Sequence, residues 1–243
     1  MQYTIIQHKL GMILTGECGV GKTFISKVLI NQFLDGQCRF VYIPNPKLNS
    51  TELLSEILFQ LENTDPIGPT ITKPELLRLI QKRFSYYKNN NLYVVIIIDD
   101  AQAIANDELF EEIRLLMNLH EQDTVSFTLI LSGNTQLMNK ISTNPSLNQR
   151  LAMRFELLPL EEEETMKYIE HRLEVTGIKN KIFTPQAYKT IQRLSGGKPR
   201  VINNICDFAL LTGFMQKAPM IDENIIAHVG KELGQETNDT DIK

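Results

Sequence analysis

The sequence predicts an α/β protein in which a parallel sheet of five strands is covered by helices and followed by a small all-helical domain. Three observations predict it. Short β-type runs alternate with longer stretches of helical period, and after Pro159 the β signal stops while helical period continues. The composition, 42% hydrophobic and 22% charged over 243 residues, carries ample apolar surface for a core. Alternation of this kind belongs to parallel sheets, because parallel neighbours need a crossover segment between them.

The strands are expected at Gly11 to Thr15, Arg39 to Ile43, Leu92 to Ile98, Ser126 to Ser132 and Phe155 to Leu158. Between them, Leu53, Leu54, Ile57, Leu58 and Leu61 share one helical face, as do Leu76, Leu77, Ile80 and Phe84 on the next helix and Leu109, Ile113, Leu116 and Leu119 on a third. Beyond Pro159 come amphipathic stretches at about Glu162 to Glu174, Pro185 to Leu194 and Arg200 to Gln216, with a short fourth after Asp222. The predicted domains are residues 1–158, an α/β core, and 159–233, a helical domain, with 234–243 as a polar tail. Asn89 to Asn91 and the Pro66, Gly68, Pro69 segment are turn chemistry. The carboxylates Glu161 to Glu164 fall in a helix's first turn, where they offset the positive end of its dipole, a simpler role than binding a cation.

A formal charge of -4 and a pI near 5.7 supply no overall field for nucleic acid or an anionic membrane. Cys18, Cys38 and Cys206 are far apart and form no C-x-x-C pair, which argues against a disulfide framework or a zinc site and for a reduced, cytoplasmic setting. The N-terminus lacks a basic-then-apolar signal pattern, and the longest aliphatic run, Val94 to Ile98, is too short for a bilayer, so no direct membrane insertion is expected.

The strongest chemical signal is GECGVGKT, Gly16 to Thr23, between a strand and the helical pattern Phe24 to Phe33. It fits G-x-x-x-x-G-K-[ST], which would arise by chance in roughly 1% of chains this long. Gly16, Gly19 and Gly21 permit a bend whose successive N–H groups face an anion at a helix start. Lys22 then reaches the β- and γ-phosphates and Thr23 ligates Mg²⁺. The candidate ATP-binding residues are Gly16, Glu17, Cys18, Gly19, Val20, Gly21, Lys22, Thr23 and Phe24. Cys18 places a thiol in this loop, either as a redox-sensitive group or as small loop filler.

VVIIIDDAQ, Val94 to Gln102, is a buried-type strand ending in two carboxylates, and a strand next to the P-loop strand would deliver them beside the phosphates. Asp99 is the expected Mg²⁺ holder, through water.

Together these segments resemble the AAA+ ATPases of the ExeA (general secretion pathway protein A) and MshM type, and more loosely the TniB and TnsC transposition ATPases. The resemblance runs through LTGECGVGKT, YIPNPKLNSTELLSEI, VVIIIDDAQAI, LILSGNTQL, LNQRLAMRFELLPL and SGGKPRVINNICDFAL, nearly the whole chain. The last segment is the most distinguishing, because Gly-Gly-x-Pro-Arg-x-Ile-Asn opening a lid helix is characteristic of the secretion type. The resemblance implies a P-loop AAA+ core with a helical lid, bound ATP and Mg²⁺, and ATPase activity. It implies that Asn134 is the sensor 1 residue that feels the γ-phosphate, with a plain turn Asn as the alternative. It implies that Arg200 is the sensor 2 arginine, directed by Pro199 at a helix start. Arg150, better than Arg154, matches the arginine finger offered to a neighbouring subunit, and either is otherwise a surface charge. Asp100 stands where most such proteins have Glu as activator of the attacking water, and its shorter side chain implies slow hydrolysis.

A finger supplied from another subunit implies an ATP-dependent homo-oligomer, a ring or a filament. Relatives of this type usually carry a further segment ahead of the P-loop strand, and longer ones a transmembrane helix and a peptidoglycan-binding region after the lid. The present sequence is therefore expected to be a minimal cytoplasmic homologue, a truncated frame or one gene of a split pair. The leading functional expectation is an enzyme that couples ATP binding and hydrolysis to assembly or remodelling of a secretion or pilus complex. The alternatives are a DNA-associated transposition regulator using Lys179, Lys181, Lys189, Arg193 and Lys198, and a switch that binds ATP and barely hydrolyses it.

Overall fold

A run such as Tyr93 to Ile98 has almost nothing polar to turn toward water on either side, so it is stable only within a sheet covered on both faces. The computed structural model, which describes residues 1–33, 36–62, 71–119, 127–178 and 180–235, places it there. The turn expected at Pro66, Gly68 and Pro69, the strand start at Ser126, Lys179 and the tail beyond residue 235 lie outside the described residues.

The chain runs α1 (Gln2–Ile6), β1 (Gly11–Gly16), α2 (Lys22–Gln32), β2 (Cys38–Ile43), α3 (Ser50–Glu62), α4 (Lys73–Asn89) and β3 (Tyr93–Ile98). A 3₁₀ turn at Ala101–Ala103 leads to α5 (Asp107–Leu116), β4 (Phe127–Gly133), α6 (Gln136–Ser142), α7 (Pro145–Arg150) and β5 (Met153–Leu157). Helices α8 (Glu162–Val175), α9 (Pro185–Ser195), α10 (Pro199–Gln216) and α11 (Glu223–Glu232) follow. Among the described residues the sheet has five strands, all parallel, in the order β2, β3, β4, β1, β5. One expectation is corrected here: β3 is not next to β1, because β4 lies between them. Chain order leaves the insertion of a later strand undetermined, since a crossover can return to either side of an earlier strand.

Two compact units are distinguished, one of Met1–Gly16 with Lys22–Leu157, the other of Glu17–Gly21 with Leu158–Lys243. In the first, the strand period of two sorts the sheet's side chains. Val94, Ile96 and Ile98 enter a core with Leu53, Ile57, Ile80 and Phe84, while Val95 and Ile97 enter another with Ile5, Leu14 and Leu29. Each such side chain removed from water contributes roughly 1.5–3 kcal/mol, which holds β3 in register. That register brings the strand ends level: Ile98 lies opposite Ile43 and Leu131, and Thr15 opposite Gly133.

The second unit packs Ile169, Phe183, Ile191, Ile202, Ile205, Ile226 and Val229 into its own core. Its helices begin where the caps say they should. The Thr184 hydroxyl accepts from the Ala187 N–H, the Asp222 carboxylate accepts from the Asn224 and Ile225 N–H groups, and Glu161 and Glu164 form a reciprocal capping box. The first-turn carboxylates thus serve the start of α8, and Glu163 also pairs with Lys167 at 2.6 Å. Among the described residues no helix is long and apolar enough to cross a membrane.

Candidate functional site

In the first unit the ends of β1 and β3 bring their polar residues together. Lys22, the first residue of α2, is only 8% exposed, and its ammonium donates to the Gly16 carbonyl at 2.8 Å. The Thr23 hydroxyl donates to Asp99 Oδ2 at 2.6 Å, although the two residues are 76 apart in the chain. Asp99 is 2% exposed. Its Oδ2 also accepts from the Tyr42 hydroxyl at 3.0 Å, and its Oδ1 from the Asp100 N–H at 3.0 Å. A buried carboxylate is tolerable because these donors satisfy it. The Tyr42 hydroxyl is pushed well above its ordinary pKa, first by burial and then by the charge and hydrogen bond of Asp99, so it remains a donor.

Whether Mg²⁺ suits this place follows from the donor set. A hydroxyl and a carboxylate, both hard oxygen ligands, meet here, and the Thr23 proton points to Asp99, leaving the hydroxyl lone pairs for a cation. The residues fit the ion.

The neighbouring strand ends carry the other two candidates. Asp100 is exposed, has a left-handed backbone (φ 49°, ψ 37°), and accepts from the Gln102 amide at 3.1 Å. Asn134 follows β4. Its N–H donates to Gln102 Oε1 at 3.0 Å, and its own Oδ1 accepts from the Gln136 N–H at 3.0 Å, a local turn contact. Arg150 is half-buried and donates to the Arg114 carbonyl at 2.9 Å near the C-terminus of α5, while the exposed Arg154 donates to Asn148 Oδ1 at 2.5 Å. The structure therefore gathers Lys22, Thr23, Asp99, Asp100 and Asn134 at the strand ends and ties Arg150 to α5.

The second unit contains the middle of the loop. Gly19 (φ +88°) and Gly21 (φ +107°) adopt backbone that side chains rarely tolerate, and a Cβ at Gly21 would meet nothing within 4 Å, which leaves open space at that part of the bend. The Arg200 N–H donates to the Gly19 carbonyl at 3.2 Å, and its guanidinium lies 3.5 Å from the exposed Cys18 thiol. Lys198 pairs with Glu17 at 2.7 Å. Lys198, expected among the lysines for nucleic acid, is thus engaged by the loop itself.

Tyr42 and Gln102 were not singled out from the sequence. Gln102 stands inside the VVIIIDDAQ segment, two residues past Asp100, and that spacing was its one local signal. Tyr42 had none, because it meets Asp99 only through the pairing of β2 with β3.

Comparisons with known proteins agree with this fold. A family model described as AAA domain matches residues 5–141. The chain is 36% identical over 226 residues to general secretion pathway protein A of Aeromonas hydrophila, covering 91% of this chain and 40% of that protein. It thus spans well under half the length of that relative. Similar solved structures include Cdc6p from Pyrobaculum aerophilum (TM-score 0.72, 20% identity, 91% of this chain and 60% of that one). The Aeropyrum pernix ORC2 protein in its ADPNP and ADP complexes gives a TM-score of 0.68 at 15% identity, over 100% of this chain and 66% of that one. The Thermotoga maritima RuvB Holliday junction branch migration motor gives 0.63 at 16%, over 96% and 65%. These structures speak for the fold alone. The chain belongs to the AAA domain family of P-loop ATPases, with its sequence resemblance directed to the general secretion pathway protein A type.

Proposed function

We propose that this chain binds ATP with Mg²⁺ through Gly16 to Thr23, hydrolyses it, and uses the cycle to assemble or remodel a partner complex. The observation that carries the reading is the 2.6 Å hydrogen bond between Thr23 and Asp99, which joins the phosphate loop to the acidic strand end across 76 residues.

Bound Mg²⁺ supplies charge neutralisation on the triphosphate. The chain's own groups do the rest. Lys22, held at the base of the loop by the Gly16 carbonyl, exchanges that weak neutral partner for phosphate oxygens. Tyr42 and the Asp100 N–H keep the Asp99 carboxylate aimed at Thr23. Asp100 accepts a proton from the attacking water, and the Asn134 side-chain amide donates to the γ-phosphate from the end of β4. Arg200, at the start of α10, adds positive charge beside the loop, and Arg150 serves a neighbouring subunit once released from Arg114. Hydrolysis is slow, because Asp100 is a methylene shorter than glutamate. The three free cysteines, one of them exposed, suit a reduced cytoplasmic setting. The partner is a protein of a secretion-type assembly, on the strength of the relative's name and the matched length.

The test is phosphate release by the wild type, Lys22→Ala and Asp100→Glu, with light scattering in ATP. Lys22→Ala is expected to abolish release and Asp100→Glu to raise it several-fold, and ATP is expected to raise the scattering mass. A wild type that releases no more phosphate than Lys22→Ala removes the enzyme reading and leaves a binding switch, and one that stays monomeric in ATP removes the role of Arg150.

A further inference from the structure

The ends of β3 and β4 are adjacent in the sheet, and one side-chain amide bridges them. Gln102 Nε2 donates to Asp100 Oδ1 at 3.1 Å, and Gln102 Oε1 accepts from the Asn134 N–H at 3.0 Å. The bridge is built rather than incidental, as three further contacts show. Lys140 donates to the carbonyls of Gln102 and Ile104 at 2.7 and 2.6 Å, which pins the turn that carries the glutamine. The Ala103 N–H donates to the Asp100 carbonyl at 2.8 Å, closing that turn. At Gly133 a Cβ would lie 2.6 Å from Gln102 Oε1, so the absence of a side chain there makes the space in which the amide reaches Asn134.

A carboxylate on an exposed, left-handed residue has several rotamers available, and a general base works only in the one that faces its water. We infer that Gln102 is a positioning residue that locks the Asp100 carboxylate to the Asn134 peptide, so that the water-activating and γ-phosphate-sensing residues move as one. The donated hydrogen bond occupies Oδ1 and leaves Oδ2 to take the proton from water. A shift of the Asn134 segment toward a γ-phosphate is passed through the amide to Asp100, which ties the base's orientation to the nucleotide state. The inference rests on the ATPase reading above and adds to it the residue that couples its two parts.

The test is steady-state phosphate release with a fluorescent ATP analogue titration and thermal melting on the same samples. Gln102→Met keeps the length and removes both hydrogen bonds. It is expected to lower kcat about 10-fold or more while KM, nucleotide Kd and Tm stay close to wild type. In an Asp100→Ala background the same change is expected to have no further effect on kcat, because the group it positions is gone. Gln102→Glu keeps the acceptor for Asn134 but sets a carboxylate against Asp100. Its kcat is expected to fall at neutral pH, where the two carboxylates oppose each other. An unchanged kcat in Gln102→Met overturns the inference. So does an equal loss in the Asp100→Ala background, or a loss of kcat matched by loss of Tm. If the wild type releases no more phosphate than Lys22→Ala, the hydrolysis reading and the positioning role both fall; an active wild type with an indifferent Gln102→Met fails the positioning role alone.

Discussion

Asp99 is the most heavily supported side chain of the site, accepting from Thr23, Tyr42 and the Asp100 N–H while almost wholly buried. Removing one donor leaves part of a buried charge less well satisfied. Tyr42→Phe is therefore expected to cost about 1–2 kcal/mol in urea unfolding at pH 8. The pH dependence has a definite sign. The folded state holds the Tyr42 proton more tightly than the unfolded chain, so its contribution is complete below the ordinary tyrosine pKa of 10 and is lost as pH rises above it. The gap between wild type and Tyr42→Phe should narrow in unfolding series above pH 10; a constant gap would mean that the hydroxyl is not held by Asp99. At this scale the sequence alone singles out Lys22, Thr23 and Asp99 as candidates, because a phosphate loop and an acidic strand end demand particular residues at particular spacings. Tyr42 stayed hidden because Asp99 lies 57 residues away, and the bridge made by Gln102 because its second partner, Asn134, lies 32 residues away; both are met through strand pairing.

Strands and helices with a clear period were legible almost to the residue, since a five-residue aliphatic run and a repeating leucine face each have one way to be buried. The short helices α1, α6 and α7 were not, for each is a turn or two long and makes only part of a periodic face. The glycine pair closing α9 shows how a motif encodes an element's end. Gly196 caps α9 in the left-handed region, and Gly197 follows at φ +69° with its would-be Cβ directed into the Leu160 carbonyl. Its own carbonyl accepts from the Leu160 N–H at 2.8 Å. Gly197→Ala combines backbone strain with that collision and is expected to destabilise the helical unit by about 2 kcal/mol or more, read as a fall in Tm. Gly36→Ala, at φ +79° with open space around it, bears the backbone strain alone and should cost less. Equal losses at the two sites would contradict the role assigned to the Leu160 contact.

For the whole molecule, the order and register of the strands bring the ends of β1 and β3 to one edge of the sheet, with β4 between them. Sequence order alone could not disclose that interposed strand, although it supplies Asn134 from its own end. The proposed function depends on nucleotide being held where Lys22, Thr23 and Asp99 meet. The most direct measurement is an equilibrium titration of a fluorescent ATP analogue, with and without Mg²⁺, into the wild type, Lys22→Ala and Asp99→Asn. The expected result is saturable, Mg²⁺-strengthened binding by the wild type, a loss of at least about 10-fold in affinity for Lys22→Ala, and little Mg²⁺ dependence for Asp99→Asn. Binding by Lys22→Ala as tight as that of the wild type would contradict the account.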